Sequence, residues 1–161
     1  MNYPDFSSYS NNPFCSNSNI RTNITSFEFG DSVEHIPAYM CYEMSNLTSI
    51  TIPNSVTGIG YEAFYKCSGL TSIEIPNSVN SINFSFYKCS GLTSIVVDEN
   101  NPKYDSRDNC NALIETETNT LITGCKNTII PDSVTSIGSS AFYGCSGLTS
   151  ITIPGSVTSI G

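Results

Sequence analysis

The chain has no tryptophan, one histidine, and only six lysines and arginines in 161 residues. Charged residues make up 12% of it, about half of the roughly 25% usual in soluble proteins. These gaps exclude several functions. Nucleic-acid binding needs clustered cations that neutralise phosphates, and six scattered ones in a chain of net charge −8 form no such patch. The same acidity disfavours adsorption to an anionic lipid surface. No apolar run approaches the roughly 20 residues of a spanning helix, so no membrane span is expected. The opening stretch MNYPDFSSYSNNPFCSNSNI has neither the basic nor the apolar segment of a secretory signal. One histidine cannot complete a zinc ligand set when none of the 7 cysteines has a C-x-x-C partner. Nor does His35 among many serines make a hydrolytic triad. No metal or cofactor is expected.

Ser, Thr, Asn and Ile are abundant instead, with 11 Gly and 8 Pro as punctuation. Self-alignment is decisive. LTSITIPNSVTGIGYEAFYKCSG starts at Leu47 and LTSIEIPNSVNSINFSFYKCSG at Leu70; LTSIVV follows at Leu92 and LTSITIPGSVTSIG at Leu148. Val56 to Val79 and Val134 to Val157 each span 23 residues, and a degenerate first coil carries Val33. Val79 to Val134 spans 55, one period plus 32 inserted residues. In each coil Leu47, Ile50 and Ile52 fit the leucine-rich strand L-x-x-L-x-L, with Ser49 and Thr51 on the opposite face. Pro53-Asn54 turns the chain; Val56, Ile59 and Phe64 point inward on the return. The ninth position is serine in Ser32, Ser55, Ser78, Ser133 and Ser156, a hydroxyl ladder able to satisfy turn amides of the neighbouring coil.

The prediction is an α/β repeat solenoid: a β-rich leucine-rich-repeat horseshoe, one parallel sheet on one face, and helix confined to single turns near Ala63 and Ala141. Residues 1–23 read as an Asn/Ser-rich leader or N-terminal cap, and 24–161 as the solenoid, with an irregular hairpin insertion at about 98–127. The hairpin pairs Ala112–Glu115 with Thr120–Thr123. Setting Glu115 against Thr120 places Cys110 opposite Cys125, and whether these two form a disulfide is left open, since facing positions do not guarantee the Cβ geometry. Cys67, Cys89 and Cys145 each precede a strand leucine by three and should form a buried, unreactive column. The acidic stretch Asp98-Glu99 with Asp105 and Asp108 lacks EF-hand spacing and reads as a solvated loop.

The blocks CSGLTSIxIPxSVTxIG and EAFYKC, repeated in register over roughly Ile24 to Gly161, resemble the BspA-like, Treponema-type leucine-rich repeats. The interruption resembles that family's irregular repeat, in which an NPxY loop precedes an extra hairpin. The resemblance implies a cell-surface or secreted module, adhesin-like, that binds host or microbial surface or matrix proteins, and no enzyme.

Repeat arrays bind through extended faces. The outward strand-face residues, Ser49, Thr51, Ser72, Glu74, Ser94, Val96, Ser150 and Thr152, are therefore the candidate partner-binding face. They are small and polar, without the aromatic or arginine anchors that dominate binding energy. That favours two other readings: binding through Lys103, Tyr104 and Arg107 of the insertion, or a structural spacer with no ligand of its own. Asn23, Asn46 and Asn83 begin N-glycosylation sequons whose use the sequence leaves open. The last coil carries no cap, so the natural protein is expected to continue beyond Gly161, and this end to self-associate or fray.

Overall fold

A computed structural model describes residues 4–161; the first three residues of the expected 1–23 leader lie outside it. The chain winds as a β-solenoid whose short strands are numbered here in chain order. The first side of the coils carries β1 (Ser26–Glu28), β3 (Ser49–Thr51), β5 (Ser72–Ile75) and β7 (Ser94–Val97). After the Pro turn, the second side carries β2 (His35–Ile36), β4 (Gly58–Ile59) and β6 (Ser81–Ile82). Pairing is parallel and in repeat register: Ser26 meets Ser49, His35 meets Gly58, Gly58 meets Ser81, and Ser72 meets Ser94. On the first side the ladder divides into β1–β3 and β5–β7.

The inward columns follow the period. Leu47, Ile52, Val56, Ile59 and Phe64 are buried, and so are Leu70, Ile73, Ile75 and Val79 of the next coil. Ile50 is half-buried against this core. Fully burying one such side chain stabilises by about 1.5–3 kcal/mol, and alternation along the strand is what directs it inward. The last coil departs from the columns. Ile151, Ile153 and Ile160 are exposed, because no described residue covers that side.

The third side differs from the single helical turns expected near Ala63 and Ala141. The chain there makes hydrogen-bonded turns whose N–H groups alternate in direction. Ala63, Tyr65 and Cys67 donate to the carbonyls of Gly60, Glu62 and Phe64 within the coil, whereas Glu62, Phe64 and Lys66 donate to Asn83, Ser85 and Tyr87 of the next coil. A helix would point every N–H back along its own axis, so it is incompatible with this third ladder. The alternation needs left-handed backbone at Glu62 (φ 50) and Lys66 (φ 56), repeated at Phe84 and Lys88. That conformation costs an L-residue about 1–2 kcal/mol, and hydrogen bonds worth roughly 0.5–1.5 kcal/mol each oppose it. At Gly144 (φ 86) a Cβ would also lie 2.4 Å from the Lys88 Cα, so glycine is required there.

Repeat register runs further than the expected start of the insertion at 98. Asn101 lies 23 residues after Ser78 and joins the ninth-position ladder. Ser55 and Ser78 donate to the carbonyls of Val33 and Val56 at 2.7 Å, and Asn101 Nδ2 donates to Val79 at 2.9 Å. At Ser55 and Ser78 the ladder therefore caps carbonyls rather than the amides expected, whereas Asn101 also accepts from the Lys103 and Tyr104 N–H groups through Oδ1. β8 (Tyr104–Asp105) lies 23 residues after Ser81, and the departure follows it: β9 (Leu113–Glu115) and β10 (Thr120–Thr123) add an antiparallel hairpin, and β11 (Ser136–Ile137) and β12 (Ser159–Ile160) resume parallel pairing on β10. Within the hairpin Glu115 faces Thr120 and Ile114 faces Leu121, but a bulge then sets Leu113 against Thr123. That slip removes the alignment of Cys110 with Cys125. Both are free thiols, donating to the carbonyls of Ala112 and Asn111.

N-terminal to the first coil, a six-residue helix α1 (Ser18–Asn23) is capped by Asn17, whose side chain accepts from the Asn19 N–H. The buried Asn12 donates to the carbonyls of Tyr39 and Met40, and Phe14 meets Phe27 edge-on at 5.4 Å. Asp5 accepts from the Ala38 N–H.

Candidate interaction surfaces

The first-side strands display Ser49, Thr51, Ser72, Glu74 and Val96 to solvent, with Ser94 half-buried. Between the two ladders a groove of about 400 Å³ runs past Thr51, Asn54, Glu74 and Asp98. Its rim is acidic and carries no aromatic ring. Ser150 and Thr152 are exposed but belong to no strand.

The insertion residues separate. Lys103 is exposed, its ammonium 5.5 Å from the Tyr104 ring. Tyr104 itself is only 3% exposed, and its ring belongs to the same core cluster as Val97 and Leu113. It is thus a packing residue, not a partner contact. Arg107 is held internally: its guanidinium binds Asp105 and donates to Asn119 Oδ1 at 2.8 Å and to Ser133 Oγ at 3.3 Å. Burial alone would raise the Asp105 carboxyl, but hydrogen bonds from Arg107 and Thr116 outweigh it and hold it below its usual value. The network ties the hairpin to the following coil.

The face that sequence reading missed lies on the third side. The left-handed turns there stand aromatic residues outward in a connected series. Tyr9 stacks on Tyr42 at 4.6 Å and Tyr42 on Tyr65 at 4.9 Å, with the ring planes nearly parallel. Tyr39 meets Tyr61 edge-on and Tyr61 meets Phe84; Phe84 leads to Tyr87, and Tyr87 to Tyr143 at 5.3 Å. Tyr61, Phe84 and Tyr143 are 44%, 46% and 47% exposed. The signal was in the repeat itself, since Tyr65 and Tyr87 recur one coil apart. Residue type had suggested only filling for that side.

Beside the rings runs a groove of about 520 Å³ that crosses coil boundaries. Glu43 bridges Arg21 at 3.3 Å and Lys66 at 2.7 Å. Lys88, one coil further, holds its ammonium 4.9 Å from the Tyr143 ring centroid and 5.6 Å from that of Tyr65.

The thiols form the expected column only in part. Cys67 and Cys89 are buried and donate to the carbonyls of Cys41 and Phe64, whereas Cys145 is half-buried near the uncovered last coil. Burial pushes Cys67 well above the usual thiol range and Cys89 up to about 12. Among the described residues no three His, Cys, Asp or Glu side chains converge to hold a metal, and no helix is long and apolar enough to cross a membrane.

Stacked coils of one repeat, with leucine-rich inward columns and a ninth-position ladder, define a leucine-rich-repeat solenoid. The chain belongs to the BspA type leucine rich repeat region family, whose model matches residues 13–118 and 114–161 in six copies. A solved leucine-rich repeat protein from Eubacterium ventriosum is similar at 21% identity and a TM-score of 0.54, over 99% of this chain and 55% of that one. The pneumococcal vaccine antigen PcpA is similar at 22% identity and a TM-score of 0.73, over 86% of this chain and 36% of that one. The chain thus spans about half of the first structure's length and about a third of the second's. No curated protein matches it in sequence.

Proposed function

We propose that the chain is a protein-binding, adhesin-like module of a cell-surface or secreted protein, that it performs no catalysis, and that it binds through the aromatic third side. The exposed ring series of Tyr61, Phe84 and Tyr143 carries this reading. Tyrosine and other aromatics supply large, rigid contact area at low entropic cost and dominate interface energies. The strand face offers nothing comparable. Family membership supports the binding role, and similarity to a vaccine antigen supports display outside the cell. The uncovered apolar residues Ile151 and Ile153 favour end-to-end association of copies as a further contact of the last coil.

The test compares two variants on a panel of immobilised extracellular-matrix proteins by surface plasmon resonance. Replacing Tyr61, Phe84 and Tyr143 by serine should abolish retention, while Thr51→Arg with Ser72→Arg should leave it unchanged. The second reading, a spacer with no ligand of its own, is favoured by the small polar strand face. Its signature is a wild-type chain retained by no surface on the panel.

A further inference from the structure

We propose that the groove beside the tyrosines docks an acidic, extended segment of a partner protein, held across successive coils by Lys66 and Lys88 with Arg21 at its N-terminal end. The inference rests on the protein-binding reading and specifies the partner chemistry at that side of the solenoid. Three of the chain's six cations line this groove, whereas only Glu43 of its 14 acids does. In a molecule of net charge −8 this is a local reversal of sign. One carboxylate between Arg21 and Lys66 leaves that cluster net positive. Lys88 has no carboxylate within ion-pair distance among the described residues, and only aromatic rings flank its ammonium. An ammonium without a carboxylate partner gains from one brought to it.

The arrangement repeats along the axis. Ser45, Ser68 and Ser90 add one hydroxyl per coil along the groove, and coils rise by about 4.8 Å. An extended strand laid along it presents same-face side chains about every 6.6 Å, a mismatch that long lysine stems absorb. Ring geometry favours a peptide over an acidic polysaccharide. Tyr42 stacks on both Tyr9 and Tyr65, and Tyr65 carries Lys66 and Lys88 at 5.5 and 5.6 Å, which leaves these two central rings little open face for a sugar to stack on. Their electropositive edges and hydroxyls remain, and edges attract anions.

The experiment measures fluorescence anisotropy of labelled synthetic peptides on the full chain. One peptide is rich in Asp and Glu; its control has Asn and Gln at the same positions; dextran sulfate is the polysaccharide arm. The acidic peptide is expected to bind about tenfold or more tightly than its control, the weight of one well-placed charge contact. Affinity should fall as ionic strength rises from about 0.01 to about 0.15 M, where the screening length shrinks from about 30 to about 8 Å. Lys66→Gln with Lys88→Gln should remove most of the preference, and Lys103→Gln, outside the groove, should leave it intact. Circular dichroism of each variant confirms folding. Equal binding of both peptides, indifference to the double substitution, or binding of dextran sulfate without either peptide overturns the proposal. Any of these leaves the protein-binding reading standing if the matrix panel still retains the chain, and that reading fails separately if the panel does not.

Discussion

Phe64→Ala probes how strongly neighbouring coils are coupled. Phe64 is fully buried, and its ring lies parallel to that of Phe86 in the next coil, 5.4 Å between centroids and 2° apart. Truncating a buried phenylalanine costs about 3–5 kcal/mol, of which the ring pair itself accounts for about 0.5–1.5 kcal/mol. Against a domain stability of about 5–15 kcal/mol, about a fifth of the whole or more is lost at one junction. Because each coil touches only its neighbours, the loss should concentrate between the coils on either side rather than spread evenly. Urea unfolding followed by far-ultraviolet circular dichroism and tyrosine fluorescence, usable because the chain has no tryptophan, should show a lower midpoint. A reduced slope should accompany it as the two halves uncouple. A shift of less than about 1 kcal/mol with an unchanged slope would show that Phe64 is not at a packed junction.

Two further outcomes are expected. Cys67 and Cys89 should resist alkylation in the native state, because burial holds their thiols protonated, while Cys145 should react faster than either; mass spectrometry after timed labelling distinguishes them, and fast labelling of Cys67 would refute the column. Asp105 is held below its usual value of 3.8, so its contribution is present above that pH and lost as pH falls through its lower native value. Thermal melts across acid pH should therefore decline less steeply for Asp105→Asn than for the parent, and parallel curves would refute the pairing.

The 23-residue period made the inward columns and strand register legible, because a parallel stack imposes translation and nothing else. The pairing of Ser26 with Ser49 follows directly from it. Asn101 escaped notice only because a serine was sought at its position; counting 23 from Ser78 would have found it. The bulge in the hairpin was not readable, since Ile122 has no residue type that marks a register slip. The third side was misread for a physical reason. Ala, Phe, Tyr and Lys are acceptable helix formers, and what overrides that preference is a neighbouring coil competing for every second N–H. Tyr104 failed as a contact because its strand pairs with the hairpin strand β9, which draws an apparent loop tyrosine into the core.

Hydrogen bonds on all three sides of the coil run along the solenoid axis, and this has a mechanical consequence. Tension applied between the two ends loads the rungs in sequence, peeling the outermost coil, rather than shearing many at once. Each released coil would convert a rise of about 4.8 Å into roughly 75–80 Å of extended chain. A molecule tethered at one end and gripped at the other would thus lengthen in discrete, low-force steps while its remaining coils stay intact, dissipating a sudden pull instead of passing it on.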